Sequence, residues 1–234
     1  MKRPQLFSLL LCLVIGICVG GLLPMPWEHP AVVSPAPSVN HVLDAPSPEG
    51  SGQGSASGKQ TAVLDSGNNF TLLSAACQVN QALHDQDYAV VASYVDPVRG
   101  VTFTPYSTVD FDTDLTFTAA QIQNLAQDKT VYTWGTVDGR GSLIEQTMAQ
   151  YFQSYVYDQD YTQAPQIGVD RIQMTGNALE NLKDAYPDCR FVDFSYPELD
   201  PAYQGLDWCS LRLVFAPETT KWRLVGIVHG QWTI

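Results

Sequence analysis

The chain has 234 residues, of which 12 are Lys or Arg and 24 are Asp or Glu, giving a formal net charge of −12 at pH 7. This excess negative charge lies after about residue 65, where nine basic residues accompany 21 acidic ones. Nucleic acids and anionic lipid surfaces are bound through clustered cations, so the composition disfavours both as general partners.

The amino terminus carries an uncharged apolar segment. Lys2 and Arg3 precede the run LFSLLLCLVIGICVGGLL at residues 6–23. Such a segment is typical of an export signal or a membrane anchor, and its length lies at the lower limit for spanning a bilayer. Positive charge on its amino side predicts that everything after it is translocated. We therefore expect residues 1–23 to hold the protein at the cell membrane facing the extracytoplasmic side, or to release it if they are cleaved.

Residues 24–64 are rich in Pro, Ser, Gly and Ala, as in PAVVSPAPSV and SPEGSGQGSASG. This composition cannot bury enough apolar surface to offset the entropy of ordering, so the segment is predicted to be a disordered linker. Residues 65–234 remain as a single domain, long enough to form its own core.

Apolar periodicity places a series of helices and strands along this domain. The helix predicted over 142–157 has Ser142 and Glu145 in capping-box spacing. A second helix, starting at Asp87, should end at Asp96 because the residue before a proline avoids the α region. Helices are predicted at 70–84, 87–96, 118–127, 142–157 and 176–185, and strands at 99–106, 130–137, 189–196, 208–216 and 221–234.

The last two strands predict a hairpin closed by the turn Pro217–Thr220. This register pairs Phe215 with Trp222, Leu213 with Leu224 and Cys209 with Val228 on a core face. The other face, with Trp208 opposite His229 and Arg212 opposite Val225, is mixed in polarity. We expect that face to be exposed or to form an interface.

Three cysteines fall in the domain, with no CxxC spacing. Cys77, Cys189 and Cys209 are expected to be buried as small apolar side chains. Cys189 and Cys209 each begin a predicted strand, so a disulfide bond between them is conceivable.

The helix and its joint HDQDYAVVASYVDP, the following strand and the closing hairpin KWRLVGIVHGQWTI resemble the nuclear transport factor 2-like superfamily. The segments RGVTFTPYS, WGTVDGRG and IVHGQWTI are also similar to those of uncharacterised exported bacterial proteins. This resemblance implies an α+β fold, in which N-terminal helices pack on a curved antiparallel sheet that closes with a long C-terminal β-hairpin. It also implies a cone whose mouth holds a ligand, an active site or nothing, so the fold does not give the function.

Candidate catalytic and metal-binding residues are few. His229 and His84 are the domain's histidines, and His229 is the candidate base, because superfamily dehydratases and isomerases use a His or Asp in the cone. The acidic runs at 110–114 and 158–160 lack the glycine and glutamate of a calcium loop, so we expect solvated turns. The sequence predicts no metal and no cofactor.

An aromatic set accompanied by few cations is the strongest binding signal. Rings supply contact area, and an isolated arginine can fix an anion or amide. The ligand-binding candidates are Arg99, Tyr106, Trp134, Tyr151, Tyr155 and Trp232.

These observations leave three hypotheses. The leading one is a non-catalytic, membrane-tethered module that binds a small molecule, peptide or envelope component in an aromatic pocket. The second is a hydratase or isomerase with a His or Asp base in the cone. The third is a structural module that forms a homodimer through the face bearing Trp208, Arg212 and His229.

Overall fold

The computed structural model describes residues 65–233. The predicted anchor at 1–23 and the predicted linker at 24–64 lie outside this range. Within the range, none of the helices has the length and apolar character needed to cross a bilayer.

Two helices open the fold, as the periodicity predicts. Helix α1 (Asn69–His84) begins where the Asn68 side chain accepts a hydrogen bond from the Phe70 amide. Helix α2 (Tyr88–Tyr94) follows after a joint in which Gln86 takes a left-handed φ of 56°, and Asp87 caps it. The buried stripe of α1 includes Leu72, Val79 and Leu83. The first helix and the start of the second are therefore confirmed.

The strands are β1 (Val101–Thr104), β2 (Leu115–Phe117), β3 (Val131–Thr136), β4 (Leu143–Thr147), β5 (Gln166–Val169), β6 (Arg190–Tyr196), β7 (Cys209–Pro217) and β8 (Trp222–Gln231). Six of them form the main sheet, in the order β2-β1-β8-β7-β6-β5. Its neighbours are antiparallel except for β1 and β8, which run parallel. A two-stranded ribbon of β3 and β4 stands apart from it.

Both faces of the main sheet are buried. One face packs against α1, α2 and α4 (Met148–Tyr155), and its inward side chains include Leu211, Leu213 and Ile227. The opposite face carries Val214, Val225 and Val228, which pack on Leu182 and Tyr186. The result is the predicted fold class, a few helices on a sheet that is mainly antiparallel and ends in a C-terminal hairpin.

The helix predicted over 142–157 is wrong in its first third. Residues 143–147 are strand β4, and the helix begins at Met148. The capping box is formed by Thr147 and Gln150 rather than by Ser142 and Glu145. Pairing of β4 with β3 overrides the helical periodicity of this segment because it satisfies the backbone of both strands.

Other predicted elements differ in extent. The helix expected over 176–185 is reduced to α5 (Leu182–Ala185), and the residues before it are irregular. The helix expected over 118–127 becomes α3 (Ala119–Gln123) and a 3₁₀ turn. Strands β2 and β5, of three and four residues, are absent from the sequence prediction.

The predicted hairpin register is also wrong. Pro217 pairs with Trp222, which makes the turn Glu218–Lys221, and a bulge follows between Val214 and Phe215. Beyond the bulge, Leu213 pairs with Ile227 and Leu211 with His229, a slip of three residues from the predicted pairing. A slip by an odd number exchanges the faces of a strand relative to its partner. His229 therefore shares a face with Leu211, not with Trp208 and Arg212.

The three cysteines of the domain are free thiols. Cys209 is buried, as expected, whereas Cys77 is exposed and Cys189 is half-buried. The conceivable disulfide bond between Cys189 and Cys209 is absent from the structure.

Candidate ligand-binding cleft

A cleft of about 470 Å³ lies beyond the end of β1, between that chain segment and the ribbon strand β3. Its third wall is the irregular segment 177–179, and Thr233 also lines it. The volume falls within the range of small-ligand sites. The lining residues are Pro105, Tyr106, Thr108, Asp110, Thr113, Asp114, Trp134, Gly135, Thr136, Asp138, Asn177, Ala178, Leu179 and Thr233.

Three carboxylates line this cleft, and none of its lining residues is Lys or Arg. Asp114 is the most buried of the three. Its carboxylate accepts hydrogen bonds from Thr104 Oγ1 at 2.5 Å and from the Asp110 amide at 3.1 Å. Burial raises the pKa of Asp114 from 3.8 to about 6, although these hydrogen bonds act to lower it. The cleft therefore holds an acid that titrates near neutral pH.

The ribbon side of the cleft is backed by stacked aromatic rings. Trp134 stacks on Tyr151 with ring centroids 3.8 Å apart, and Tyr151 stacks on Tyr155 at 5.2 Å. Trp134 is held by a hydrogen bond from its Nε1 to the Gln146 carbonyl across the ribbon. Tyr106 packs edge-on against Tyr155, and its hydroxyl accepts a hydrogen bond from the Asp138 amide. The stack thus fixes the position of the ribbon against the β1 end.

A buried charge cluster holds the third wall. Arg212 is fully buried, and its guanidinium contacts Glu180 at 2.5 Å and Asp193 at 3.5 Å. It also donates to the Met174 carbonyl at 3.0 Å. Because Met174 and Glu180 flank the segment 177–179, these contacts fix that segment over the outer face of the sheet, which is the face that carries Val214 and Val228. The Asn177 amide adds a hydrogen bond to the Thr233 carbonyl.

His229 lies outside the lining of the cleft and is fully buried. Its Nδ1 is 3.2 Å from the Pro105 carbonyl, and its Nε2 is 3.4 Å from a carboxylate oxygen of Asp158. Burial acts to raise the pKa of Asp158, but the contact with His229, together with hydrogen bonds from the Tyr161 hydroxyl and the backbone, outweighs it, and the pKa is lowered. Tyr155 packs edge-on against the imidazole. A ligand in the cleft would therefore not contact the His229 imidazole in this structure.

The structure brings together four of the six predicted ligand-binding residues. Tyr106, Trp134, Tyr151 and Tyr155 form the wall just described, with Tyr106 and Trp134 lining the cleft. Arg99 is apart from them: it is exposed and donates to the Cys189 sulfur at 3.4 Å. Trp232 is half-buried beside Gly176 and does not line the cleft.

The expected exposure of the face bearing Trp208 and Arg212 is wrong. Both side chains are buried, at 2% and 0% exposure. Segment 172–186 of the same chain covers this face, with Leu182 and Tyr186 packed on Val214 and Val228. His229, expected on the same face, packs on the other side of the sheet.

Of the 14 lining residues, the sequence indicated only Tyr106 and Trp134 as binding candidates. Asp114, Asp138 and Thr233 are among those it did not indicate. The acidic run 110–114 was visible, but its fit to a calcium loop is poor and it points to a turn. Asp138 was seen as part of the turn Asp138-Gly139. Within residues 65–233, no group of three or more His, Cys, Asp or Glu side chains is arranged to hold a metal ion.

Comparison with known proteins gives little beyond this geometry. No family model and no curated protein matches the chain. One similar solved structure, from Xanthomonas campestris, is described as a calcium/calmodulin dependent protein kinase II association domain. It is 14% identical, with a TM-score of 0.29, over 73% of this chain and 93% of that chain.

Proposed function

We propose that the domain is a non-catalytic binding module. It binds a small molecule, or one side chain of a peptide, in the cleft lined by Tyr106, Asp114 and Trp134. The observation that carries this proposal is the cleft itself, a concave site of about 470 Å³ that is lined by Tyr106, Trp134 and several polar groups. Sites of this kind combine apolar contact area with a few polar groups that orient the ligand.

The walls of the cleft are fixed before any ligand arrives, which supports a binding role. The stacked rings hold the ribbon, and the Arg212 cluster holds segment 177–179. A site that is already ordered loses little conformational entropy on binding. The cleft is thus suited to recognising a small ligand without rearrangement.

A fragment screen tests this proposal. The full chain, purified in detergent, would be screened by ligand-observed NMR against several hundred chemically diverse fragments. Thr136 is exposed and lines the cleft, so Thr136→Trp should fill it without changing charge. Thr133 is exposed on the same strand outside the cleft lining, which makes Thr133→Trp the matched control.

We expect fragments that bind the wild-type protein and the Thr133→Trp variant but not Thr136→Trp. A screen without hits, or hits that Thr136→Trp leaves unchanged, would show that the cleft is not a binding site.

A second candidate function rests on the pKa of Asp114. A carboxylate with a pKa of about 6 in a cleft can act as a general base near neutral pH. The hypothesis of a hydratase or isomerase is therefore carried by Asp114 rather than by His229. Incubating carbonyl compounds with the protein in deuterated water, followed by mass spectrometry, would detect proton abstraction. Equal exchange in the wild type and in Asp114→Asn would remove the hypothesis.

We further propose that the domain belongs to the nuclear transport factor 2-like type and acts outside the cytoplasmic membrane, attached by residues 1–23. The order of two helices, a strand and a closing hairpin supports the first part, and the apolar run after Lys2 and Arg3 supports the second. Protease protection of the domain in intact cells tests the location. Digestion by externally added protease is expected, and full protection would contradict it.

A further inference from the structure

The charge of the cleft narrows the class of ligand. We propose that the cleft recognises an organic cation, either a free alkyl amine or the ammonium group of a lysine side chain. This inference rests on the proposed binding function and adds the chemistry of the group that is bound.

The cleft carries negative charge that no cation among its lining residues compensates. Asp110, Asp114 and Asp138 line the cleft, and no lining residue carries a positive side chain. The Asp114 carboxylate already accepts two hydrogen bonds, but both come from neutral donors. An anionic ligand would be repelled by three carboxylates, whereas an ammonium group would neutralise part of their charge.

An unpartnered polar group lies in the wall of the cleft. Thr233 lines the cleft and is only 6% exposed, and its buried Oγ1 has no hydrogen-bond partner. A buried hydroxyl without a partner costs about 1 to 3 kcal/mol, so native structures nearly always provide one. A hydroxyl can accept a hydrogen bond from an N–H donor of the ligand, and an alkylammonium carries three such donors.

An aromatic ring forms part of the wall of the cleft. Tyr106 is half-buried and lines the cleft beside Asp138, and Gly135 and Thr136 continue the ribbon side. Aromatic faces attract ammonium groups through their quadrupole, while their apolar area packs on an alkyl chain. Carboxylates next to a ring therefore suit a ligand with a charged head and an apolar body.

Titration calorimetry with matched probes tests the inference on the full chain in detergent. Butylamine, butanol and butyrate have similar size and differ in charge, so they separate cation recognition from simple burial. Choline and 3,3-dimethylbutan-1-ol repeat the comparison for a quaternary ammonium. A capped Gly-Lys-Gly peptide, compared with butylamine, distinguishes a peptide side chain from a free amine.

Three variants locate the binding. Asp114→Asn and Asp138→Asn each remove one carboxylate, and the second leaves the buried hydrogen bonds of Asp114 intact. Asp112→Asn is the matched control, because Asp112 is exposed on the same loop but does not line the cleft. A charged hydrogen bond contributes on the scale of about ten- to a hundredfold in affinity, so each cleft variant should weaken butylamine binding by about that factor.

We expect the amines to bind and the neutral and anionic analogues to bind at least about tenfold more weakly, the loss of one charged contact. If butanol or butyrate binds as tightly as butylamine and Thr136→Trp abolishes that binding, the ligand class is wrong while the proposed function stands. If amines fail to bind at millimolar concentration, the ligand class is likewise wrong. If no compound in the fragment screen binds in a way that depends on Thr136, both proposals fall.

Discussion

Replacing Arg212 with methionine should destabilise the fold strongly. Methionine fills similar space but leaves the Glu180 and Asp193 carboxylates without a cation, and the Arg212 and Asp193 side chains are fully buried. Removing one partner of such a buried cluster typically costs about 3 to 5 kcal/mol. Arg223 contacts Glu218 of the hairpin turn, whose side chain is 43% exposed, and Arg223→Met should cost no more than about 1 kcal/mol.

Urea denaturation followed by far-UV circular dichroism measures both costs. Glu180→Gln is a milder variant that keeps the shape and one ion pair, so it should be less destabilising than Arg212→Met. Hydrogen exchange over residues 173–181 should increase in Arg212→Met, because Arg212 also donates to the Met174 carbonyl. Equal stability losses in Arg212→Met and Arg223→Met would refute the assignment of a buried charge cluster.

The pH dependence of stability provides a second test of the buried charge cluster around Arg212. Burial raises the pKa of Glu180 and of Asp193, although Arg212 opposes this in both. A raised folded-state pKa means that the folded protein binds protons more readily than the unfolded chain, so these groups favour folding as the pH falls. Without Arg212 their pKa values should rise further. The stability difference between wild type and Arg212→Met should therefore be smaller at pH 5 than at pH 7.

Three further outcomes follow from individual side chains. Tyr151→Phe should be neutral or stabilising by up to about 1 kcal/mol in urea denaturation, because the Tyr151 hydroxyl is buried without a hydrogen-bond partner; a large loss would contradict this. Asp158→Asn should lower stability at pH 7. The pKa of Asp158 in the folded protein lies below its usual value of 3.8, so this loss of stability should disappear as the pH falls below 3.8 and Asp158 of the wild type becomes protonated. A loss that does not depend on pH would refute the pairing with His229. Amine affinity measured by calorimetry should fall from pH 7.5 to pH 5 as Asp114, with a pKa of about 6, becomes neutral; a flat profile would exclude Asp114 as the recognition group.

The sequence was informative where one periodic pattern dominated a segment. Helix α1 has an apolar stripe and a capping residue, so it could be placed to within one residue of its observed start. Strands β7 and β8 were likewise placed to within two residues of their starts. Segment 142–157 failed because β4 forms only through its partner β3, a non-local contact that helical spacing cannot reveal.

Burial of the outer sheet face was also beyond the sequence. Arg212 in a strand suggests exposure, and its burial depends on Glu180, which is 32 residues away in the chain. His229 was assigned to the wrong face because the bulge at Val214 and Phe215 leaves no signature in these residues. The aromatic wall was found from composition. Asp114 and Thr233 come next to it only through the folded path of the loop 105–114 and of the residues after β8.

Hydrogen-exchange mass spectrometry of the full chain, with and without saturating butylamine, tests the location and the chemistry of the site together. The proposed cleft predicts slower exchange in residues 105–114, 134–138 and 177–179, with butanol producing no such change. Unchanged exchange in all three segments, or protection confined to other parts of the domain, would contradict the proposed site.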